Sequence, residues 1–76
     1  MMTVAEVKRK GVLVQLAPGD PPVSIGQTFS IYHVVGGVQT SLGQGVVWKL
    51  RGPTMFKLNP NPGTTFNNPQ VGDTVQ

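Results

Sequence analysis

The stretch Ile25-Gly26-Gln27-Thr28-Phe29 decides the fold, because it recurs near the end of the chain as Val71-Gly72-Asp73-Thr74-Val75. Each copy reads apolar, Gly, Gln or Asp, Thr, apolar. Glycine adopts a positive φ without steric cost, and the polar residue after it suits the same tight turn. The β-branched threonine and the apolar residue behind it favour a strand. Each copy therefore predicts a turn, one at Gly26 and one at Gly72-Asp73, that leads the chain into the sheet of a very small barrel.

The length of the chain limits how it can be stabilised. With 76 residues it forms a single domain, and such small domains bury only about 60% of their unfolded surface. They commonly need disulfides, a metal or a partner subunit. The sequence has no cysteine, one histidine and three widely separated carboxylates, so we expect no disulfide, no metal and no cofactor. Association with other chains, as a homo-oligomer or within a large complex, is the expected source of stability.

The charge pattern favours protein partners over nucleic acid. Charged residues make up 12% of the chain, against about 25% in typical soluble domains. The net charge is +3, and the six basic residues comprise the run Lys8-Arg9-Lys10 and the scattered Lys49, Arg51 and Lys57. Lys8, Arg9 and Lys10 are candidate contacts for a phosphate backbone or for an acidic patch of a neighbour, or they are simply solvated, as charge runs usually are. A basic excess this small predicts that nucleic acid is not the main partner.

The N-terminal residues carry no recognisable targeting signal. Met1 to Val7 contain no basic segment followed by an apolar run, so no signal peptide is evident. No apolar stretch approaches the roughly 18 residues that span a bilayer. We expect the chain to lie in the cytoplasm before it joins an assembly such as a virion.

Apolar and polar residues alternate in a way that predicts strands. Ala5 to Leu16 is predicted as one strand bent at Gly11, with a helical turn over residues 3–10 as the alternative. Thr28 to Val35 forms the next strand, and Gly36-Gly37 predicts a hairpin turn. Val38 to Leu42 is either a polar connection or a brief strand.

The clearest alternation lies in residues 46–51. It predicts that Val46, Trp48 and Leu50 point inward and that Val47, Lys49 and Arg51 face solvent. Gly52-Pro53 breaks this strand. In the strand that follows, Phe56 and Leu58 are predicted to face inward.

Residues 59–69 differ in composition from the rest of the chain. They contain three prolines, four asparagines and a single large apolar residue, Phe66. This composition cannot form a core strand, and long irregular segments in compact domains are commonly functional. We therefore predict an extended Pro/Asn-rich arm whose candidate partner contacts are Phe66, Pro60 and Pro62. The Phe66 side chain either folds back onto the barrel or inserts into a neighbour's pocket.

No set of residues indicates catalysis. His33 is the only imidazole, and the neighbouring sequence offers neither a nucleophile nor an orienting carboxylate. We predict a half-buried strand histidine and no enzymatic activity. The glycine pairs lack the Gly-Lys-Ser/Thr of a phosphate loop and the third glycine of a dinucleotide fingerprint, so hairpin turns are predicted there.

A stacking surface for single-stranded nucleic acid is the remaining chemical hypothesis. It would use the aromatic residues Tyr32, Trp48, Phe56 and Phe66 together with the cations Lys49, Arg51 and Lys57. Such a surface requires the aromatic rings to face outward beside the cations. The alternation predicts the opposite arrangement, with Trp48 and Phe56 packed in the core.

Four motifs carry a resemblance to a known family. The residues are Gly11, Val12 and Val14; Val23, Gly26, Phe29, Ile31 and Tyr32; Leu42, Gly43, Gly45 and Val47; and Val71, Gly72, Asp73 and Val75. Their pattern resembles the small, SH3-like C-terminal β-barrel of flagellar accessory proteins that build rings around the motor, and of related outer-membrane-associated modules. The resemblance implies an assembly and docking module rather than an enzyme. A stand-alone, charge-poor barrel with a proline-rich arm is also similar in style to small bacteriophage virion proteins.

The sequence thus predicts an all-β fold, a single barrel over residues 1–76 with five to six strands and an arm at residues 59–69. The expected function is that of a non-enzymatic, repeated subunit of a large assembly, such as a bacteriophage capsid decoration, cement, tail or neck protein. The alternatives are a flagellar-type docking barrel and a nucleic-acid-binding barrel.

Overall fold

A computed structural model describes residues 1–76 as an all-β fold without helices. Its strands are β1 (Met2–Val7), β2 (Val12–Gln15), β3 (Thr28–Val35), β4 (Val38–Leu50), β5 (Met55–Pro60) and β6 (Thr74–Val75). The six strands close into one antiparallel barrel in the order β1-β2-β5-β4-β3-β6. The predicted small all-β barrel is confirmed. The chain has no helix that is long and apolar enough to cross a membrane.

The barrel interior is filled by apolar side chains from every strand. The buried cluster consists of Val4, Val12, Val14, Ile31, Leu42, Val47, Phe56, Leu58 and Val75. Phe56 and Leu58 are fully buried, as predicted, and the rings of Phe29 and Phe56 lie 5.6 Å apart between centroids. The two-residue strand β6 completes the barrel by pairing with both β1 and β3. Closure of this kind leaves the sheet without free edges.

Three turns of one geometry connect the strands. The turns are the four-residue segments 17–20, 24–27 and 70–73. In each, the backbone N–H of the fourth residue donates to the carbonyl of the first residue at 3.0–3.1 Å. The side chain of the fourth residue, Asp20, Gln27 or Asp73, in turn accepts a hydrogen bond from the first backbone N–H. The third residue is always glycine, with φ values of 92°, 93° and 96°. The turns predicted at Gly26 and Gly72 are confirmed, and the turn at Gly19 is a third copy hidden in a proline-rich loop.

The N-terminal segment forms two strands instead of one. β1 and β2 pair antiparallel, and the Lys8 N–H donates to the Gly11 carbonyl at 3.0 Å to close the turn between them. The predicted single strand from Ala5 to Leu16 and its helical alternative are therefore both wrong. Gly11 has a φ of 99°, and a Cβ there would clash with the Leu58 carbonyl oxygen. The glycine thus allows a tight hairpin turn to pack directly on β5.

β3 and β4 form a long hairpin that extends beyond the barrel. Gly36 and Gly37 make the predicted turn, with φ values of 56° and 80°. β4 is continuous from Val38 to Leu50, so residues 38–42 adopt the strand alternative. Residues 34–39, the hairpin tip, pair only within the hairpin and are exposed throughout.

The inward face of β4 differs from the predicted one. Val47 is 1% exposed and fills the core, whereas Trp48 is 64% exposed. Val47 pairs with Leu58 and Lys49 pairs with Lys57, so the register shifts at Trp48 in a β-bulge. Because a bulge re-aims the side chains around it, Trp48 and Lys49 are exposed in succession. The prediction that Trp48 and Leu50 face the core is wrong, since Leu50 is also exposed, and Val46 is only half-buried.

The Pro/Asn-rich segment lies along β4. β5 continues through Asn59 and Pro60, two residues whose composition predicted a loop, and Asn59 is buried. Beyond β5, the Asn61 N–H donates to the Gln44 carbonyl at 3.1 Å, and the Asn67 N–H donates to the Leu42 carbonyl at 2.8 Å. These hydrogen bonds hold both ends of the segment against the barrel.

Phe66 packs in space that two glycines leave open. Its ring lies 3.2 Å from the position of a Cβ on Gly43 and 2.7 Å from that of a Cβ on Gly45. The ring is half-buried against the core. Of the two alternatives for Phe66, the isolated chain adopts the one in which the ring folds back onto its own barrel. A contact between this segment and another chain stays a prediction.

Candidate nucleic-acid interface

One face of the barrel gathers every lysine and arginine of the chain. A surface cavity of about 490 Å³ is lined by Lys8, Arg9, Lys10, Leu13, Trp48, Lys49, Arg51 and Lys57. Lys8, Arg9 and Lys10 lie in the β1–β2 turn, Lys49 lies near the end of β4, Arg51 follows β4 directly, and Lys57 lies in β5. The surface formed by these six cations is called the basic face. The fold therefore brings together charges that are scattered in the sequence.

The strand register explains why these side chains meet. Leu13 on β2 pairs with Lys57 on β5, which pairs with Lys49 on β4. Side chains of directly opposite residues lie on the same side of a sheet. This row is on the outside of the barrel because the adjacent residues Phe56 and Leu58 fill the core. The cations of the β1–β2 turn line the same cavity as this row.

The three carboxylates neutralise little of the basic face. Asp20 accepts a hydrogen bond from the Met1 amino group at 2.8 Å, and this bond is the main cause of the lowered pKa of Asp20. Asp73 is buried elsewhere in the fold. Glu6 alone contacts the basic face, with its Oε1 2.9 Å from Nζ of Lys8. Six cations therefore have one carboxylate as a partner.

The pKa of Lys57 reflects how close the cations of the basic face lie to one another. Partial burial lowers the pKa of its ammonium from 10.5, and the charges of Lys8, Arg51 and Lys10 lower it further. Clustered like charges repel one another and destabilise the folded state. A bound polyanion would remove that repulsion.

Trp48 supplies the aromatic group that the basic face needs for stacking. Its exposed side chain lines the large cavity together with the cations. The prediction that Phe56 is buried away from the cations is correct, but the same prediction for Trp48 is wrong, because Val47 rather than Trp48 faces the core. An exposed tryptophan beside lysines and arginines meets the condition for stacking a nucleic-acid base.

Two smaller cavities adjoin the basic face. One, of about 210 Å³, is lined by the β1–β2 turn and by residues that include Pro60 and Phe66. The other, of about 200 Å³, is lined by Lys10, Val46, Trp48 and residues 59–64, which include Pro62. Lys10 borders all three cavities. The candidate contacts predicted separately from the sequence, at residues 8–10 and in the Pro/Asn-rich segment, thus lie on one side of the barrel.

A second polar cluster joins β3 to the last turn. The Nδ1 atom of His33 lies 2.6 Å from Oδ1 of Asp73, and the other Asp73 oxygen accepts the Gln70 N–H at 2.7 Å. His33 is half-buried, as predicted. It also has a carboxylate partner, Asp73, which the sequence pattern indicates only as a turn residue. The pair ties β6 and its turn to β3. No three of the histidine, aspartate and glutamate residues lie close enough together to hold a metal ion.

The chain matches no protein-family model, no curated protein and no solved structure. The closed six-stranded antiparallel barrel is compatible with an SH3-like architecture. No relative supports either the flagellar or the bacteriophage resemblance. The function is therefore inferred from the chemistry of the basic face.

Proposed function

We propose that this chain is a nucleic-acid-binding barrel whose basic face holds a phosphate backbone. The observation that carries the proposal is the convergence of all six lysine and arginine side chains on one face. Cations clustered on one side of a domain are the electrostatic footprint of nucleic-acid-binding proteins. From the sequence alone, an assembly subunit was the expected function and nucleic-acid binding an alternative. The reason is that the linear sequence shows three adjacent cations and three isolated ones.

The two kinds of cation on the basic face supply complementary contacts. Arg9 and Arg51 carry planar guanidinium groups that bind a phosphate through two parallel hydrogen bonds. The four lysines act as point charges on flexible stems. A backbone that crosses the large cavity would place successive phosphates near both kinds of group.

Fluorescence anisotropy of a short labelled oligonucleotide at low salt tests this proposal. We expect wild-type protein to bind, and Lys49→Gln to weaken binding several-fold. Gln39→Glu, in the exposed hairpin tip near the opposite end of β4, lowers the net charge by the same amount and is the matched control. Because exposed charges farther apart than about 10 Å are screened at 0.1 M salt, this control should bind almost as wild type. Absence of binding at low salt, or equal losses in the two variants, would contradict the proposal.

A second candidate function, that of a repeated subunit in a large assembly such as a bacteriophage virion or a flagellar-type ring, is supported by the hairpin tip. Val35 and Val38 are register partners there, and both side chains are exposed, as is that of Val34 on the other face of the hairpin. Clustered exposed apolar side chains commonly mark protein–protein contacts. Light scattering over a range of concentrations should then reveal an oligomer that Val35→Lys dissociates. A wild-type chain that stays monomeric at high concentration would contradict this function.

A further inference from the structure

We propose further that the basic face selects single-stranded nucleic acid by accepting one unstacked base in the cavity beside Trp48. This inference rests on the nucleic-acid binding proposed above and adds the class of ligand to it. The cavity, here called the base slot, has a volume of about 200 Å³ and is lined by Lys10, Val46, Trp48 and residues 59–64. A slot of this size has room for a single planar base.

The slot combines apolar surfaces suited to a flat ring. Trp48 borders it from β4, and Pro60 and Pro62 border it from the Pro/Asn-rich segment. Bases of single strands stack on exposed aromatic side chains, and this stacking tolerates any sequence because every base has a π-face. A duplex keeps its bases stacked inside the helix and would leave Trp48 without a partner.

The Pro/Asn-rich wall of the slot is held in place by the protein itself. The Asn61 Nδ2 group donates to Oε1 of Gln44 at 3.1 Å. The Thr64 hydroxyl donates to the Asn61 carbonyl at 2.7 Å, and the Thr64 N–H donates to the same carbonyl at 3.0 Å. A preformed wall of this kind lowers the cost of ordering the site when a ligand binds.

One buried polar residue also lines the slot. Asn59 lines the slot, and its Oδ1 is the one buried side-chain polar atom of the chain that lacks a hydrogen-bond partner. Asn59 is only 9% exposed. Single-stranded bases are read through hydrogen bonds to their exposed edges. The Oδ1 atom has no exposed surface and lies 2.8 Å from the position of a Cβ on Gly11, so the Asn59 side chain must rotate before Oδ1 can bond a base edge.

Lys10 connects the slot to the phosphate path. It borders the base slot as well as the large cavity lined by all six cations. Trp48 also borders both. A strand whose base occupies the slot would thus have its adjacent phosphates at Lys10 and across the basic face. This continuity favours a single strand over a free nucleotide or a duplex.

Intrinsic fluorescence tests the inference directly, because Trp48 is the only tryptophan. The probes are a short single strand, a duplex of the same sequence, and inorganic polyphosphate, which carries the charges without bases. We expect the single strand to quench Trp48 emission and to bind at least several-fold more tightly than the duplex. Polyphosphate should bind with little quenching.

Substitutions in β4 distinguish the contribution of base stacking to binding from the contribution of charge. Trp48→Ala should remove the preference for single strands while leaving salt-dependent binding, and Trp48→Phe should restore part of the preference. Leu50→Ala, another exposed apolar position on β4 that does not border the slot, is the matched control and should behave as wild type. Circular dichroism verifies that each variant is folded.

The possible failures are distinguishable. If no nucleic acid binds at low salt, the proposed function is wrong, and this inference falls with it. If nucleic acid binds but the duplex competes as well as the single strand, only the inference is overturned. The same conclusion follows if Trp48→Ala keeps the wild-type preference for single strands.

Discussion

Lys49 and Lys57 are register partners on β4 and β5, so two ammonium groups project from directly opposite positions on the outside of the barrel. Like charges in this position destabilise a sheet. The bulge at Trp48 accompanies the pairing, because it shifts the register between Val47 and Lys49. The fold thus accepts an unfavourable pair at the centre of its basic face, which is expected of a surface that binds anions.

Removal of one of these charges should stabilise the isolated protein. Lys49→Gln should raise the free energy of unfolding by about 0.2–1 kcal/mol, since it removes a like-charge cross-strand pair. Urea unfolding at low and high salt measures the change, and the gain should shrink at high salt because exposed charges are screened. Gln39→Glu serves as control and should shift the midpoint little. A loss of stability in Lys49→Gln would show that the pair is not repulsive.

The lowered pKa of Lys57 predicts a dependence of stability on pH. Below that lowered pKa, Lys57 is protonated in both states, and the folded state carries the full cost of burial and repulsion. As the pH rises towards 10.5, the value for an unperturbed lysine, the folded state loses the proton first, so the unfolded state binds more protons. Stability relative to Lys57→Met should therefore rise with pH across this window and level off above it. Urea unfolding of both proteins at a series of pH values measures the difference, and parallel curves would contradict the prediction.

The buried carboxylate of Asp73 should matter more than its counterpart in the first turn. Asp73→Ala leaves the Gln70 N–H and His33 without their acceptor, and the loss of a buried partner costs about 1–3 kcal/mol. Asp20→Ala removes the acceptor of the equivalent Ala17 N–H in a more exposed turn and should cost less. Urea unfolding of the two variants gives the comparison. Asp20→Ala also removes the contact with the exposed Met1 amino group, so equal losses would mean that the buried His33 contact contributes no more than this exposed one.

Two glycines have nearly the same φ but different surroundings. Substituting each by alanine therefore distinguishes the cost of backbone strain from the cost of a steric clash. Gly19→Ala, at a φ of 92° with no heavy atom near the added Cβ, should cost about 1–2 kcal/mol from the left-handed backbone alone. Gly11→Ala, at a φ of 99°, adds a clash with the Leu58 carbonyl and should cost clearly more. Thermal unfolding measures both. A Gly11 variant as stable as the Gly19 variant would contradict the tight packing of the β1–β2 turn on β5.

The sequence predicted those parts of the structure that depend on local pattern. The turns at Gly26, Gly36-Gly37 and Gly72 follow from residues that tolerate positive φ. The inward positions of Phe56 and Leu58 follow from an undisturbed alternation in β5. Local rules were sufficient here because no bulge interrupts these elements.

The basic face could not be predicted in the same way. The β1–β2 turn consists mainly of Lys8-Arg9-Lys10, which lacks the residues typical of turns apart from Gly11. The apolar residues of 46–51 do not show which face is inward, and Val47 rather than Trp48 fills the core. The bulge that turns Lys49 outward as well has no sequence signal of its own. The partnership of His33 and Asp73 spans 40 positions in sequence and depends on the closure of the barrel. These features arise from strand register, which the linear pattern does not contain.

Salt dependence tests most directly whether the six cations act together on one phosphate backbone. For a single strand, the logarithm of the binding constant falls with the logarithm of salt concentration with a slope of about −0.7 per phosphate neutralised. If a single strand contacts most of the basic face, the slope should be about −3 to −4 for wild type. In the triple variant Lys8→Gln/Arg9→Gln/Lys10→Gln, the slope should be smaller in magnitude by about 2. A slope near zero, or a slope unchanged in the triple variant, would contradict a nucleic-acid-binding role for the basic face.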